Sequence, residues 1–105
     1  MKMIRAIIRP EKEEDVIKGL EGAGFSSVTK MDVFGRGKQK GIQVGTAVYD
    51  ELAKTMIMVV VEDVSVEKAS AAISQAAKTG NFGDGKLFVS PVDMVSTIRT
   101  GKIGL

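Results

Sequence analysis

MIMVVVE, residues 56–62, is the stretch on which the fold turns. Its apolar residues run from Met56 to Val61 without a polar interruption, as a strand covered on both faces requires. Upstream, MIRAIIR at residues 3–9 has the same character, and residues 2–9 predict a strand with Ile4, Ala6 and Ile8 on one face. A helical pattern follows each. Pro10 stops the first strand, and Glu11, Glu13, Glu14 and Asp15 crowd a helix start, where carboxylates suit the positive end of the helix dipole. Val16, Ile17 and Leu20 form its apolar stripe, and Gly22 and Gly24 end it. After the second strand, Ser65 is the expected N-cap of a helix that buries Val66, Ala69, Ile73, Ala76 and Ala77. With the two halves laid over each other, Val16 falls on Ala69 and Leu20 on Ile73.

Residues 25–34 predict the remaining strand of the first half, with Val28, Met31 and Val33 apolar; residues 86–89 open that of the second. Residues 79–85 form a glycine-punctuated loop, and 93–99 a short turn or strand. Two successive βαβ units with both helices on one sheet face make an α+β, ferredoxin-like βαββαβ sandwich, one domain over residues 1–105. Such a fold carries no function by itself.

Composition narrows the function classes. The 105 residues are 44% apolar and 27% charged, the balance of an ordinary globular domain. Cysteine and histidine are absent. That removes disulfides, thiolate metal sites, Ser–His and Cys nucleophile systems and imidazole acid–base catalysis, so a binding protein is expected rather than an enzyme. It also fits a reducing cytoplasm. The longest apolar run is too short to cross a bilayer, and Arg5, Arg9 and Lys12 interrupt any signal-peptide pattern. A net charge of +2 is a weak signal for nucleic acid, and neither nucleic-acid binding nor membrane insertion is expected.

Three segments combine glycine with cations. Residues 35–54, roughly twenty positions, exceed the few that a hairpin needs. They read either as a flexible surface hairpin or as a functional loop. Gly35, Gly37 and Gly41 permit close backbone approach there, and Arg36, Lys38 and Lys40 suit phosphate or carboxylate. The second segment is Gly83, Asp84, Gly85 and Lys86; alone, Asp-Gly marks only a turn. The third is Arg99 with Thr100 and Gly101. Together in one small domain they are harder to dismiss than any one alone.

AIIRPEK at 6–12, GRGKQKG at 35–41, KTGNFGDGKLFVSPV at 78–92 and IRTG at 98–101 resemble, in order and over nearly the whole chain, the PII signal-transduction family. VGTAVYDEL at 44–52 and the ending RTGKIGL resemble the first member of a short-loop pair associated with nitrogenase in archaea and anaerobes. The resemblance implies trimers, or a mixed assembly with a paralogue, with ATP or ADP between subunits. It implies Ile7, Thr29 and Val60 around adenine, and Gly35, Gly37, Lys38 and Gln39 at ribose and phosphates. Gly83, Asp84, Gly85 and Lys86 would wrap the phosphates, with Arg99 adding charge. Magnesium would come with ATP and meet Gln39, while 2-oxoglutarate would meet Gln39, Lys40, Gly41 and Lys54. The implied role is control of nitrogenase by direct contact, or of another nitrogen target such as an ammonium transporter or glutamine synthetase. The chain departs from the family at Thr97, where an arginine is common, at Lys38, which replaces a fork with a point charge, and at Met58, where many relatives carry a glutamate. The shorter loop keeps Tyr49 from being equated with the modified tyrosine of bacterial relatives.

Other functions on this fold fit less well. An acylphosphatase-type enzyme needs an anion loop after the first strand. An RNA-binding module needs aromatic platforms on central strands, where MIMVVV has none and KLFVS only Phe88. A copper-tolerance-like trimer would be left with oxygen ligands alone.

Overall fold

The computed structural model describes residues 1–36, 42–44, 47–49 and 51–105. In chain order the elements are β1 (Lys2–Ile8), α1 (Glu13–Gly22), β2 (Thr29–Gly35), β3 (Ile42–Val44), β4 (Ala47–Tyr49), β5 (Leu52–Val61), α2 (Val66–Ala77) and β6 (Lys86–Pro91). Short 3-10 turns, Pro10–Lys12 and Asp63–Ser65, lead into the two helices. β2, β5, β1 and β6 form an antiparallel sheet in that order, and β3 pairs with β4 separately. This is the α+β, ferredoxin-like arrangement expected, with β3 and β4 inserted between its second and third sheet strands.

Alternation decides which face is buried. Ile4, Ala6 and Ile8 of β1 lie on the helix side, opposite Val59, Ile57 and Thr55 of β5. All six are buried, together with Val61, and Val16, Leu20, Ala69, Ile73 and Ala77 cover them from the helices. Val16 and Ala69, and Leu20 and Ile73, the pairs aligned between the two halves, all lie in this core. Among the described residues Thr55 is the single buried polar one, and its hydroxyl donates to Glu13 Oε2 at 3.2 Å. The helices approach closely at Gly19, where a Cβ would stand 3.4 Å from the Ala72 carbonyl oxygen.

The helix ends follow local chemistry. At the end of α1, Phe25 N donates to Leu20 O at 2.8 Å and Gly24 N to Glu21 O at 3.0 Å, while Gly24 takes φ +99°. That is the Schellman pattern, in which a glycine at positive φ closes the last turn. It explains why residues 25–28, expected in the strand, precede it: Phe25 packs on the core as the helix closes, and β2 begins at Thr29. Ser65 holds the N-cap position of α2, but its side chain makes no capping bond; the 3-10 turn sets the entry instead.

β5 starts at Leu52, four residues before the continuous apolar run. Its early part alternates, with Lys54 half-buried and Thr55 buried, and Leu52 pairs with Gly35 at the end of β2. Lys54 is thus a strand residue held by a ladder. Residues 93–99 form a turn: Thr97 N donates to Lys102 O at 2.8 Å, and Ser96 bridges Ile103.

The sheet's other face carries no helix. By register it presents Met3, Arg5 and Ile7 of β1, Met56, Met58 and Val60 of β5, Thr29 and Met31 of β2, and Lys86 and Phe88 of β6. Among the described residues, no helix is long and apolar enough to cross a membrane.

Candidate functional site

The chain between α2 and β6 is fastened by one carboxylate. Asp84 Oδ2 accepts from the backbone amides of Thr79 and Gly80, both at 2.8 Å. Asp84 Oδ1 accepts from the Thr79 hydroxyl and, at 3.2 Å, from Arg9 Nε. A carboxylate offers about four acceptor positions, so Asp84 is saturated by its own protein. These donors favour the charged form and hold its carboxyl well below the usual carboxylate range, the Thr79 hydroxyl contributing most.

Two further cations grip the loop's backbone. Arg9 Nη2 donates to the Phe82 carbonyl at 2.7 Å, and Lys54 Nζ donates to the Gly83 carbonyl at 2.7 Å. Lys54 is half-buried; burial pushes its ammonium pKa down, and Arg9 adds like-charge repulsion. Gly83 and Gly85 sit at φ +97° and +107°, a region L side chains rarely adopt. Gly85 also presses on β1, where a Cβ would overlap the Ile7 carbonyl oxygen. Lys86 follows on the open sheet face, opposite Ile7.

This arrangement suits an anion. Exposed glycine backbone offers amides, and Lys86 stands beside them as an exposed cation. Lys54, drawn partly out of water, would gain from a carboxylate that restores its charge balance.

The sequence profile of the family described as Nitrogen regulatory protein P-II matches residues 1–102. The chain belongs to the nitrogen regulatory P-II family. It is 59% identical over 105 residues, all of both chains, to the "Nitrogen fixation nifHD2 region GlnB-like protein 1" of Methanosarcina barkeri. It is 56% identical, again over the full length of both, to the "Nitrogen fixation nifHD region glnB-like protein 1" of Methanococcus maripaludis. To the "Nitrogen regulatory protein P-II 2" of Methanothermobacter thermautotrophicus it is 48% identical, with 99% of this chain and 94% of that protein covered.

Within this P-II chain, one end of the sheet brings together Ile7, Gly35, Lys54 and the segment Gly83, Asp84, Gly85 and Lys86. Thr29 and Val60 lie nearer the other end of the open face, opposite Met58 and Met3. Arg99 is exposed on the C-terminal turn, and no described hydrogen bond or ion pair joins it to residues 83–86. Gly37, Lys38, Gln39, Lys40 and Gly41 lie outside the described residues.

Two residues escaped the sequence reading: Arg9 and Thr79. Their signal was present. Thr79 stands five positions before Asp84 in TGNFGD, where short polar side chains can fasten a glycine loop, and Arg9 directly follows β1, beside that loop.

A cleft of about 210 Å³ opens on the helix side of the same loop, lined by Ile73, Ser74, Ala77 and Lys78 among others. Ligand pockets usually enclose about 300–1,000 Å³, so this cleft alone does not house a nucleotide.

Proposed function

We propose that this P-II chain is a nitrogen-status signalling protein that binds ATP or ADP together with 2-oxoglutarate, and that it controls nitrogenase by direct contact. The observation that carries the reading is the fastened loop at residues 79–86, with Lys86 and Lys54 beside it on the open sheet face. Names of relatives that place them in nitrogen-fixation regions support nitrogenase as the target.

In this reading the loop amides and Lys86 hold phosphate oxygens, and Arg99 adds charge. Gly35, Gly37, Lys38 and Gln39 border the ribose and phosphates. Ile7, Thr29 and Val60 line the base. The separation of Thr29 and Val60 from the loop along the sheet favours a site shared between neighbouring copies, as in a trimer or a mixed assembly with a P-II paralogue. Lys54 takes one carboxylate of 2-oxoglutarate, with Gln39, Lys40 and Gly41 around the rest. Among the described residues no group of three carboxylates could hold a metal by itself; magnesium would come with the nucleotide and meet Gln39. The protein acts as a regulator in the cytoplasm and has no reaction of its own.

Calorimetric titration tests the reading directly. Mg-ATP should bind the purified protein, and Lys86→Ala should weaken it by about 1.5–3 kcal/mol, the worth of a charge-assisted hydrogen bond. Wild-type affinity in Lys86→Ala would remove the loop from the site.

A further inference from the structure

We propose that Arg9 is a positioning residue of the anion site: it turns the amide of Gly83 toward the ligand, beside the Asp84 amide that Lys54 orients, and cancels the charge of Asp84. The proposal rests on the nucleotide reading above and adds to it a residue that touches no ligand.

The geometry begins with two carbonyls. Phe82 O accepts from Arg9 and Gly83 O from Lys54, each at 2.7 Å. In a trans peptide the C=O and the N–H point in opposite directions. With the Phe82 and Gly83 carbonyls drawn onto the two cations, the amides of Gly83 and Asp84 face the other way. No described residue accepts from either amide. Successive outward amides next to a glycine at positive φ make a concave donor set for an anion. Arg9 thus acts through the peptide it holds.

Charge supplies the second half. Asp84 lies in the middle of the proposed phosphate site, where a bare carboxylate would repel the ligand. Arg9 Nε meets Asp84 Oδ1 at 3.2 Å. One guanidinium therefore bonds the Asp84 side chain through Nε and the Phe82 carbonyl through Nη2. A lysine has a single nitrogen and cannot span both in that fixed geometry.

The test titrates Mg-ATP and Mg-ADP into wild type, Arg9→Met, Arg9→Lys and Thr79→Val. It is joined to thermal melts and to the 1H–15N resonances of Gly83 and Asp84 in nucleotide-free protein. Both Arg9 variants should bind each nucleotide about tenfold more weakly, with melting close to wild type and both amide resonances displaced before nucleotide is added. Thr79→Val should weaken binding in the same direction. Wild-type affinity in Arg9→Lys would overturn the proposal, because charge alone would then suffice; so would unmoved amide resonances in Arg9→Met. Should Arg9→Met fail to fold, Arg9→Lys and Thr79→Val decide. A wild type that binds neither nucleotide would sink the function proposed above, while the amide resonances would still judge the positioning.

Discussion

Gly85 and Ile7 meet backbone to backbone: a Cβ placed on Gly85 would lie 1.7 Å from the Ile7 carbonyl oxygen. The contact pins the loop to β1 one residue before β6 begins, at φ +107°. Gly85→Ala must therefore move backbone and hold an L residue in a strained region. We expect a loss of at least about 2 kcal/mol, since the left-handed region alone costs roughly 1–2 kcal/mol. Urea unfolding of the variant measures it, and a midpoint equal to wild type would show that the loop does not need this contact.

Asp84 gives the loop a pH signature. Its carboxyl pKa is depressed in the folded state, first by the Thr79 hydroxyl and then by the Thr79 and Gly80 amides, with Arg9 adding to them. A depressed carboxylate stabilises the fold above its unfolded pKa, near 3.8, and loses that contribution as pH falls toward the folded value. Asp84→Asn should therefore be less stable than wild type at neutral pH, and the gap should narrow below about pH 4. Melting curves across that range check the sign; a gap that widens in acid would contradict it.

The core was legible because its signal is periodic. Ile4, Ala6 and Ile8 alternate, Ile57, Val59 and Val61 sit in an unbroken apolar run, and the helical stripes repeat at helical spacing. The start of β5 was not legible, since Lys54 and Thr55 are polar and are held by register with β2 and by the Glu13 bond. The glycines and Lys86 of the loop stand out in the sequence as a cationic turn. Thr79, five positions before Asp84, could have been found from TGNFGD, but the Arg9 bond spans 75 positions and no short pattern encodes it.

The open sheet face predicts assembly. Met3, Ile7, Met56, Met58 and Val60 share it and are only half-buried in the single chain, with Met31 and Phe88 more exposed. A contiguous apolar patch of this kind marks an interface. Light scattering should report a trimer, or a mixed oligomer when a P-II paralogue is present. Val60→Asp should lower the mass toward a monomer, because a carboxylate inside such an interface is desolvated without a partner. A wild-type monomer at micromolar concentration would rule the assembly out.

The last prediction concerns the switch, and Lys54 is where it can be read. Its ammonium is already depressed by burial and by Arg9, and its proton is shared with the Gly83 carbonyl. In the proposed site a carboxylate of 2-oxoglutarate would take one of the two donors that the Gly83 carbonyl leaves on that ammonium, and would add a full negative charge beside the loop. An effector shifts a conformational equilibrium only by its difference in affinity between states, and a charge on Lys54 that one loop arrangement accommodates better than another is one such difference. In the sense expected for nitrogen control, scarce 2-oxoglutarate should leave the chain free to dock on nitrogenase and inhibit it, and abundant 2-oxoglutarate with Mg-ATP should release it. A pull-down with the nitrogenase catalytic component and the paralogous subunit, with and without both effectors, should show association only in their absence. Lys54→Met and Gln39→Ala should keep the association but lose the release. Equal association under both conditions in wild type, or normal release in Lys54→Met, would leave a nucleotide-binding P-II protein whose switch lies elsewhere.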